Sequence, residues 1–292
     1  MSSMPAWASK HIGLRKAKDS VFVYLCFVAT LVAVLLLIAL LWGVWKSGVG
    51  RLSMEFLTSF PSRIASRAGV KSALWGSIWI VLLTGVIAVP IGVAAAVYLE
   101  EFNTKRNRLT EFVQINIANL AGVPSIVFGL LGLAVFVRWL GFGRSILTGS
   151  LTMTLLVLPM LITISQEALR AVPRSFREGS LALGATPWQT IQRQVLPAAS
   201  SGIFTGIILG LSRAMGETAP IIIVGAVAYV AKVPTSLKDT YSVMPIQIYN
   251  WTSEARPGFA ECAAAAIIVL LGVLLVLNSV AIYLRNRKGQ RR

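Results

Sequence analysis

Six stretches of this chain are long and apolar enough to cross a lipid bilayer: 21–45, 72–99, 112–140, 146–166, 200–230 and 259–284. A hydrocarbon core about 30 Å thick needs roughly 20 apolar residues per helical crossing. Backbone groups cannot stay unpaired in hydrocarbon, so each stretch must be helix. The chain has 292 residues, 56% hydrophobic and 13% charged, a balance that soluble domains do not carry. The sequence therefore reads as an all-α integral membrane protein with six transmembrane helices. The second, third and fifth stretches are long enough to require tilt, kinks or frayed ends. Gln114, Asn116 and Asn119 interrupt the start of the third.

Charge sets the orientation. Net charge is +16, and the basic residues lie in short clusters beside apolar stretches. With the N-terminus in the cytoplasm and one crossing per stretch, sixteen of the 27 basic residues fall inside and ten outside, with Arg213 within a span. The inner clusters include Lys10 to Lys18, Lys105 to Arg108, Arg170 to Arg193, and Arg285 to Arg292. This positive-inside bias predicts a multi-pass protein with both termini cytoplasmic. Basic and aromatic residues do not interleave as on a base-stacking surface, which argues against nucleic acid. The outer acids are only Glu55, Asp239, Glu254 and Glu261. The outer surplus of positive charge suits either concentration of an anionic solute or contact with anionic lipid.

Several chemistries are excluded. Cys26 and Cys262 both fall inside apolar stretches and read as packing residues, not a disulfide framework. His11, in a basic tail, is the only histidine, so neither a histidine metal site nor a Ser–His or Cys–His catalytic set can form. No G-x-x-x-x-G-K-[ST] phosphate cradle is present. No metal site and no catalytic residues are expected. No A-x-A cleavage signal follows the first apolar run, which reads as a retained signal-anchor.

Between the fourth and fifth stretches lies a polar segment, 167–199. Pro173 suits the first turn of a short helix over 173–183, with Gly184 as its C-terminal stop. Thr186 caps a second helix with Pro187 at its first position, and Gln189 completes a T-x-x-Q capping box. Pro197 is expected to end that helix. The result is a knob of two short helices with a sharp bend at Gly184-Ala185. It suits a cleft on a partner protein, or an amphipathic loop lying on the membrane.

The fifth stretch carries two further signals. Gly202, Gly206 and Gly210 repeat every four residues, a face that lets two membrane helices approach closely. Arg213 and Glu217 are four apart, hence on one helical face. Each charge is expensive in hydrocarbon, by about 2.5–3.5 kcal/mol on insertion scales. The pair either neutralises itself or lines a watered path. The Arg213 fork matches phosphate oxygens. Gly216 and Pro220 bracket the pair and should weaken the helix there.

The spacing Glu178-x5-Gly184-x11-Leu196-Pro197 resembles the EAA loop of ABC-type importer permeases, with Gln194 where that pattern usually has an aliphatic residue. The runs RAMGETAP (213–220), GVPSIVFGLLGLAVF (122–136) and MPIQIYNW (244–251) resemble the phosphate-specific members, of the PstA type, over roughly 71–284. The resemblance implies a type I ABC importer permease fold in a bacterial cytoplasmic (inner) membrane. The chain would divide into 1–70 (tail, first helix and outer segment), the permease core 71–284 with its coupling loop 167–199, and a basic tail 285–292. Glu178, Gly184, Ala185, Leu196 and Pro197 would couple to a separate ATPase. Arg213, Glu217 and Thr218 would line the translocation path. Partners would be a PstC-like permease, a PstB-like ATPase dimer and a PstS-like periplasmic phosphate-binding protein, besides membrane lipid. The stretch 232–258 would face the binding protein. The chain would need no cofactor of its own, because ATP and Mg would bind the ATPase. Two other readings stay open: an importer for another oxyanion such as sulfate or molybdate, and an ion-driven secondary transporter.

Overall fold

The computed structural model describes residues 6–102, 108–227 and 229–289, and every regular element among them is helical. Lys105, Arg106, Arg291 and Arg292, counted above in the charge bias, lie outside the described residues.

The first element is one long helix, α1 (Ala6–Gly48), prolonged by a 3-10 turn to Arg51; over the span Lys18–Arg51 its apolar side chains lie on the surface of the isolated chain. It touches the remainder near its C-terminal end, where a Cβ at Gly48 would sit 2.6 Å from the Ala264 backbone. A short α2 (Met54–Thr58) follows, capped by Ser53, whose hydroxyl accepts the Phe56 N–H. The second span is α3 (Lys71–Val97), prolonged by a π-helical turn over Tyr98–Phe102.

The third stretch does not form one straight helix. α4 (Arg108–Ala121) and α5 (Ser125–Gly132, prolonged by a π segment to Trp139) meet at 106°. The break falls at Gly122-Val123-Pro124. Pro124 lacks an N–H and disfavours α conformation in the residue before it. Between them the halves still carry the chain across. α3 and α6 (Ile146–Arg170) lie side by side and run the same way: Thr84 Oγ1 donates to Ser150 O, and Arg170 pairs with Glu100. The segment joining the end of one to the start of the other must therefore return through the full thickness. Six crossings result, five straight and one broken.

After α6 come α7 (Arg174–Ala182) and α8 (Pro187–Thr190), then a π turn over Ile191–Val195 and α9 (Leu196–Gly216). Pro197 does not end the second helix, contrary to expectation; Pro187–Gly216 is one 30-residue rod. The π turn just before Pro197 absorbs the missing N–H and the ring clash. Burial of Ile191 and Val195 against Leu169 and Val97 holds it in place. The fifth span also stops short of 230. It ends at Gly216, and the chain restarts as α10 (Ala219–Val224), closed by Gly225 at φ +102°. α11 (Met244–Thr252) and α12 (Phe259–Gly289) complete the chain. α12 runs five residues past 284, so the start of the basic tail is helical.

Three apolar clusters stack along the bundle. One, with Val97, Leu169, Val195 and Ile203, lies toward the α7–α8 end. A middle one joins Met153, Leu161, Ile221 and Tyr241. The third, with Phe56, Val70, Trp251 and Phe259, lies at the opposite end. Buried hydroxyls on α6 return to their own helix: Thr152 donates to Thr148 O and Thr154 to Ser150 O, each at 2.8 Å. At that opposite end two of the acids, Asp239 and Glu254, are engaged. Asp239 accepts N–H bonds from Thr235 and Ser236 and pairs with Lys232 at 2.9 Å; the Thr235 N–H first, then Lys232, hold its carboxyl well below the usual carboxylate range. Arg256, paired with Glu254 at 2.7 Å, lowers that carboxyl likewise.

Candidate functional site

Two sites lie at either end of α9. The first is the bent knob. Pro173 precedes α7, which stops at Leu183, and Gly184 follows at φ +84°. That left-handed conformation turns the chain sharply and is costly for residues other than glycine. Ala185 N–H then bonds to Ser180 O at 3.2 Å. Thr186 caps α8 with both halves of the capping box made: Gln189 N–H to Thr186 Oγ1 at 3.3 Å, and Thr186 N–H to Gln189 Oε1 at 2.9 Å. The Ser180 and Thr190 hydroxyls, 2.9 Å apart, tie the two short helices together.

The knob is anchored by residues the sequence did not single out. Arg177 forks onto Glu101 (Nε–Oε2 3.0 Å, Nη2–Oε1 2.5 Å) and also donates to the carbonyls of Val172 and Leu169. The Glu101 hydrogen bond holds the guanidinium above even its ordinary high value. Arg170 pairs with neighbouring Glu100 at 2.8 Å, and Phe102 packs on Trp188. The only signal available beforehand was two adjacent acids, Glu100-Glu101, at the end of an apolar run.

Beyond this anchor the knob presents apolar groups to solvent. Leu183 is 91% exposed, and Phe176, Leu181 and Trp188 are exposed too. A groove of about 360 Å³ opens among Phe176, Ser180, Leu183, Ala185, Gln189 and Arg193. Glu178 is exposed on α7, with no ion-pair partner among the described residues. Leu196 and Pro197 are half-buried where the knob becomes the span. Exposed apolar groups of this kind mark a surface that meets another molecule.

The second site lies about 30 Å away along α9, at 1.5 Å per residue. Arg213 occupies the last turn of α9, where a cation is favoured by the helix dipole. Glu217 is not on that helix, contrary to the shared-face expectation: it is the extended residue following it, at φ −77° and ψ 127°. The carboxylate still reaches back, with Arg213 Nε 3.1 Å from Glu217 Oε1. The helix fails here because Pro220 has no N–H for the Gly216 carbonyl. Thr218 stands in the gap ahead of α10, half-exposed. The pair is open, with side chains 47% and 21% exposed. At the depth of a membrane span, an accessible ion pair beside broken backbone requires a watered cavity or another protein chain.

The glycines join the two sites to the bundle. A Cβ at Gly202 would sit 2.6 Å from Ala168 Cβ, at Gly206 2.8 Å from Ile164 Cγ2, and at Gly210 2.9 Å from Val157 Cγ1. All three face α6. Arg213, Leu209 and Gly216 lie on the side turned outward.

Comparison with known proteins agrees with this architecture. Residues 88–290 match the family described as "Binding-protein-dependent transport system inner membrane component". The "Probable ABC transporter permease protein YqgI" of Bacillus subtilis (strain 168) is 37% identical over 176 residues, a match that spans 60% of each chain. The "Phosphate transport system permease protein PstA 1" of Mycobacterium tuberculosis (strain CDC 1551 / Oshkosh) is 34% identical over 95% of this chain and 92% of that one. In fold, a bacterial ABC transporter involved in the import of the acidic polysaccharide alginate aligns with a TM-score of 0.66 at 18% identity, over 94% of this chain and 98% of the other. With six helical crossings, a bent knob between the fourth and fifth, and a family match over two thirds of its length, the chain belongs to the inner-membrane permeases of binding-protein-dependent ABC transporters.

Proposed function

We propose that this chain is the permease half of an ATP-driven importer of inorganic phosphate, in the bacterial inner membrane with both termini cytoplasmic. The observation that carries the reading is the near full-length similarity to a phosphate transport permease, together with an accessible arginine where the fifth span breaks. A PstC-like permease would complete the path. A PstB-like ATPase dimer would bind and hydrolyse ATP with Mg, and a PstS-like binding protein would deliver phosphate to the outer face.

The mechanism follows from the continuity of the α8–α9 rod. The knob, with Glu178, Gly184 and Ala185, inserts into a cleft on the ATPase through its exposed apolar groups. Leu196 and Pro197 carry the push into the rod, whose far end holds Arg213. A helix packed through glycines onto α6 moves as a unit, so displacement of the knob shifts Arg213 and Glu217 relative to the facing permease. Glu217 neutralises Arg213 when the path is empty. An arriving phosphate displaces it and takes the guanidinium fork, and Thr218 offers a hydroxyl at the same level.

Labelled-phosphate uptake in cells lacking their own phosphate importer tests this reading. Uptake should need this chain together with its partner permease and ATPase, stop with vanadate, and resist excess sulfate. Sulfate competition as strong as unlabelled phosphate would assign another oxyanion. Vanadate-insensitive uptake driven by an ion gradient would overturn the ATP-driven reading.

A further inference from the structure

On the side of α9 facing away from Arg213 lies a groove of about 550 Å³, bounded by α3, α9 and α12. Its walls are nearly all apolar, with Val81, Val86, Phe204, Ile208, Leu211 and Leu277 prominent. Its polar side chains meet each other: Ser212 donates to Asn278 Oδ1 at 2.6 Å. Phe204 and Arg213 are nine residues apart, roughly 180° around a helix of 3.6 residues per turn. The groove therefore does not face the ion pair. Toward the α7–α8 end, one turn beyond the groove residue Ala281, stands Arg285. Arg285 Nη1 donates to Thr205 Oγ1 at 3.1 Å and its Nε to Asn286 Oδ1 at 3.3 Å. Nη2 has no partner among the described residues.

We infer that this groove binds one anionic phospholipid, an acyl chain between α3, α9 and α12 and the phosphate on Arg285. The volume lies within the range of ligand sites. The lining suits hydrocarbon, and one cation, Arg285, lies at the end where headgroups would be. A guanidinium meets a phosphate oxygen with a charge-assisted bond. Basic pockets between membrane helices are a recurrent way of holding such headgroups. The inference is independent of which solute the permease carries.

The test is native mass spectrometry of the full chain, purified with its partner subunits from nanodiscs of equal phosphatidylglycerol and phosphatidylcholine. One phospholipid per chain should survive detergent washing, with phosphatidylglycerol favoured about tenfold. Arg285→Ala should bring that preference close to parity, and Arg285→Lys should keep part of it. Gly85→Phe, whose Cβ would already sit 3.4 Å from the Leu211 methyls, should remove retained lipid of both kinds. If that variant fails to accumulate, Val86→Trp, at a position 69% exposed on the groove rim, takes its place. Equal retention of both lipids by the unaltered chain overturns the inference. So does an unchanged preference in Arg285→Ala, or cross-linking of a cysteine at Leu277 to the second permease.

Discussion

Replacing Arg213 with alanine is expected to reduce phosphate uptake between about tenfold and a hundredfold at unchanged abundance in the membrane. A hydrogen bond to a charged group is worth about 1.5–3 kcal/mol, and each 1.4 kcal/mol is about tenfold. The loss should exceed that of a bond alone, because Glu217 is then left as an unpaired carboxylate facing an anion. Its only ion-pair contact among the described residues is the 3.1 Å bond to Arg213. The double variant Arg213→Ala/Glu217→Ala should therefore transport better than Arg213→Ala. Such non-additivity between contacting residues is what a double-mutant cycle reads. Arg213→Lys should fall between, since a lysine keeps the charge but loses the fork. Full uptake by Arg213→Ala would remove this residue from the path.

The second large effect is expected at Gly184. Its φ of +84° is costly for a side-chain-bearing residue by about 1–2 kcal/mol, most for a β-branched one. Nothing lies within 4 Å of the position its Cβ would take, so the effect of a substitution is conformational, not steric. Gly184→Val should re-aim α7 against α8 and cut uptake at least tenfold, while ATP hydrolysis by the assembled complex continues without transport. Gly184→Asn should be markedly milder, because asparagine tolerates the left-handed region. Equal uptake by Gly184→Val and the unaltered chain would show that the bend is not used in coupling.

Much of this was legible in the sequence because it is local. Apolar runs announce spans, and the capping box at Thr186-Gln189 and the stop at Gly184 appear where the residue types place them. What escaped depends on contacts far apart in the chain. Pro197 looks like a stop, yet Ile191 and Val195 are buried against α6 and α3, and that burial carries the helix through a π turn. The Arg177–Glu101 fork joins residues 76 apart, and no periodicity signals it. Uniform hydropathy hid the bend in the third span and the early end of the fifth. Residues 219–230 remain apolar after α9 ends, so only Gly216 and Pro220 marked the break. In the third stretch Gly122 and Pro124 marked a 106° turn that a hydropathy average passes over. The glycine repeat was readable, but which helix it meets was not.

The most direct test of a cytoplasmic, ATPase-coupled knob is its accessibility. With Cys26 and Cys262 replaced by alanine, a single cysteine at Leu183, 91% exposed at the tip of the bend, is treated with a membrane-impermeant maleimide in right-side-out and inverted vesicles. The expected result is labelling in inverted vesicles alone, lost when the ATPase subunit is bound and restored when it is stripped. Labelling in right-side-out vesicles, or labelling indifferent to the ATPase, would contradict the proposed coupling.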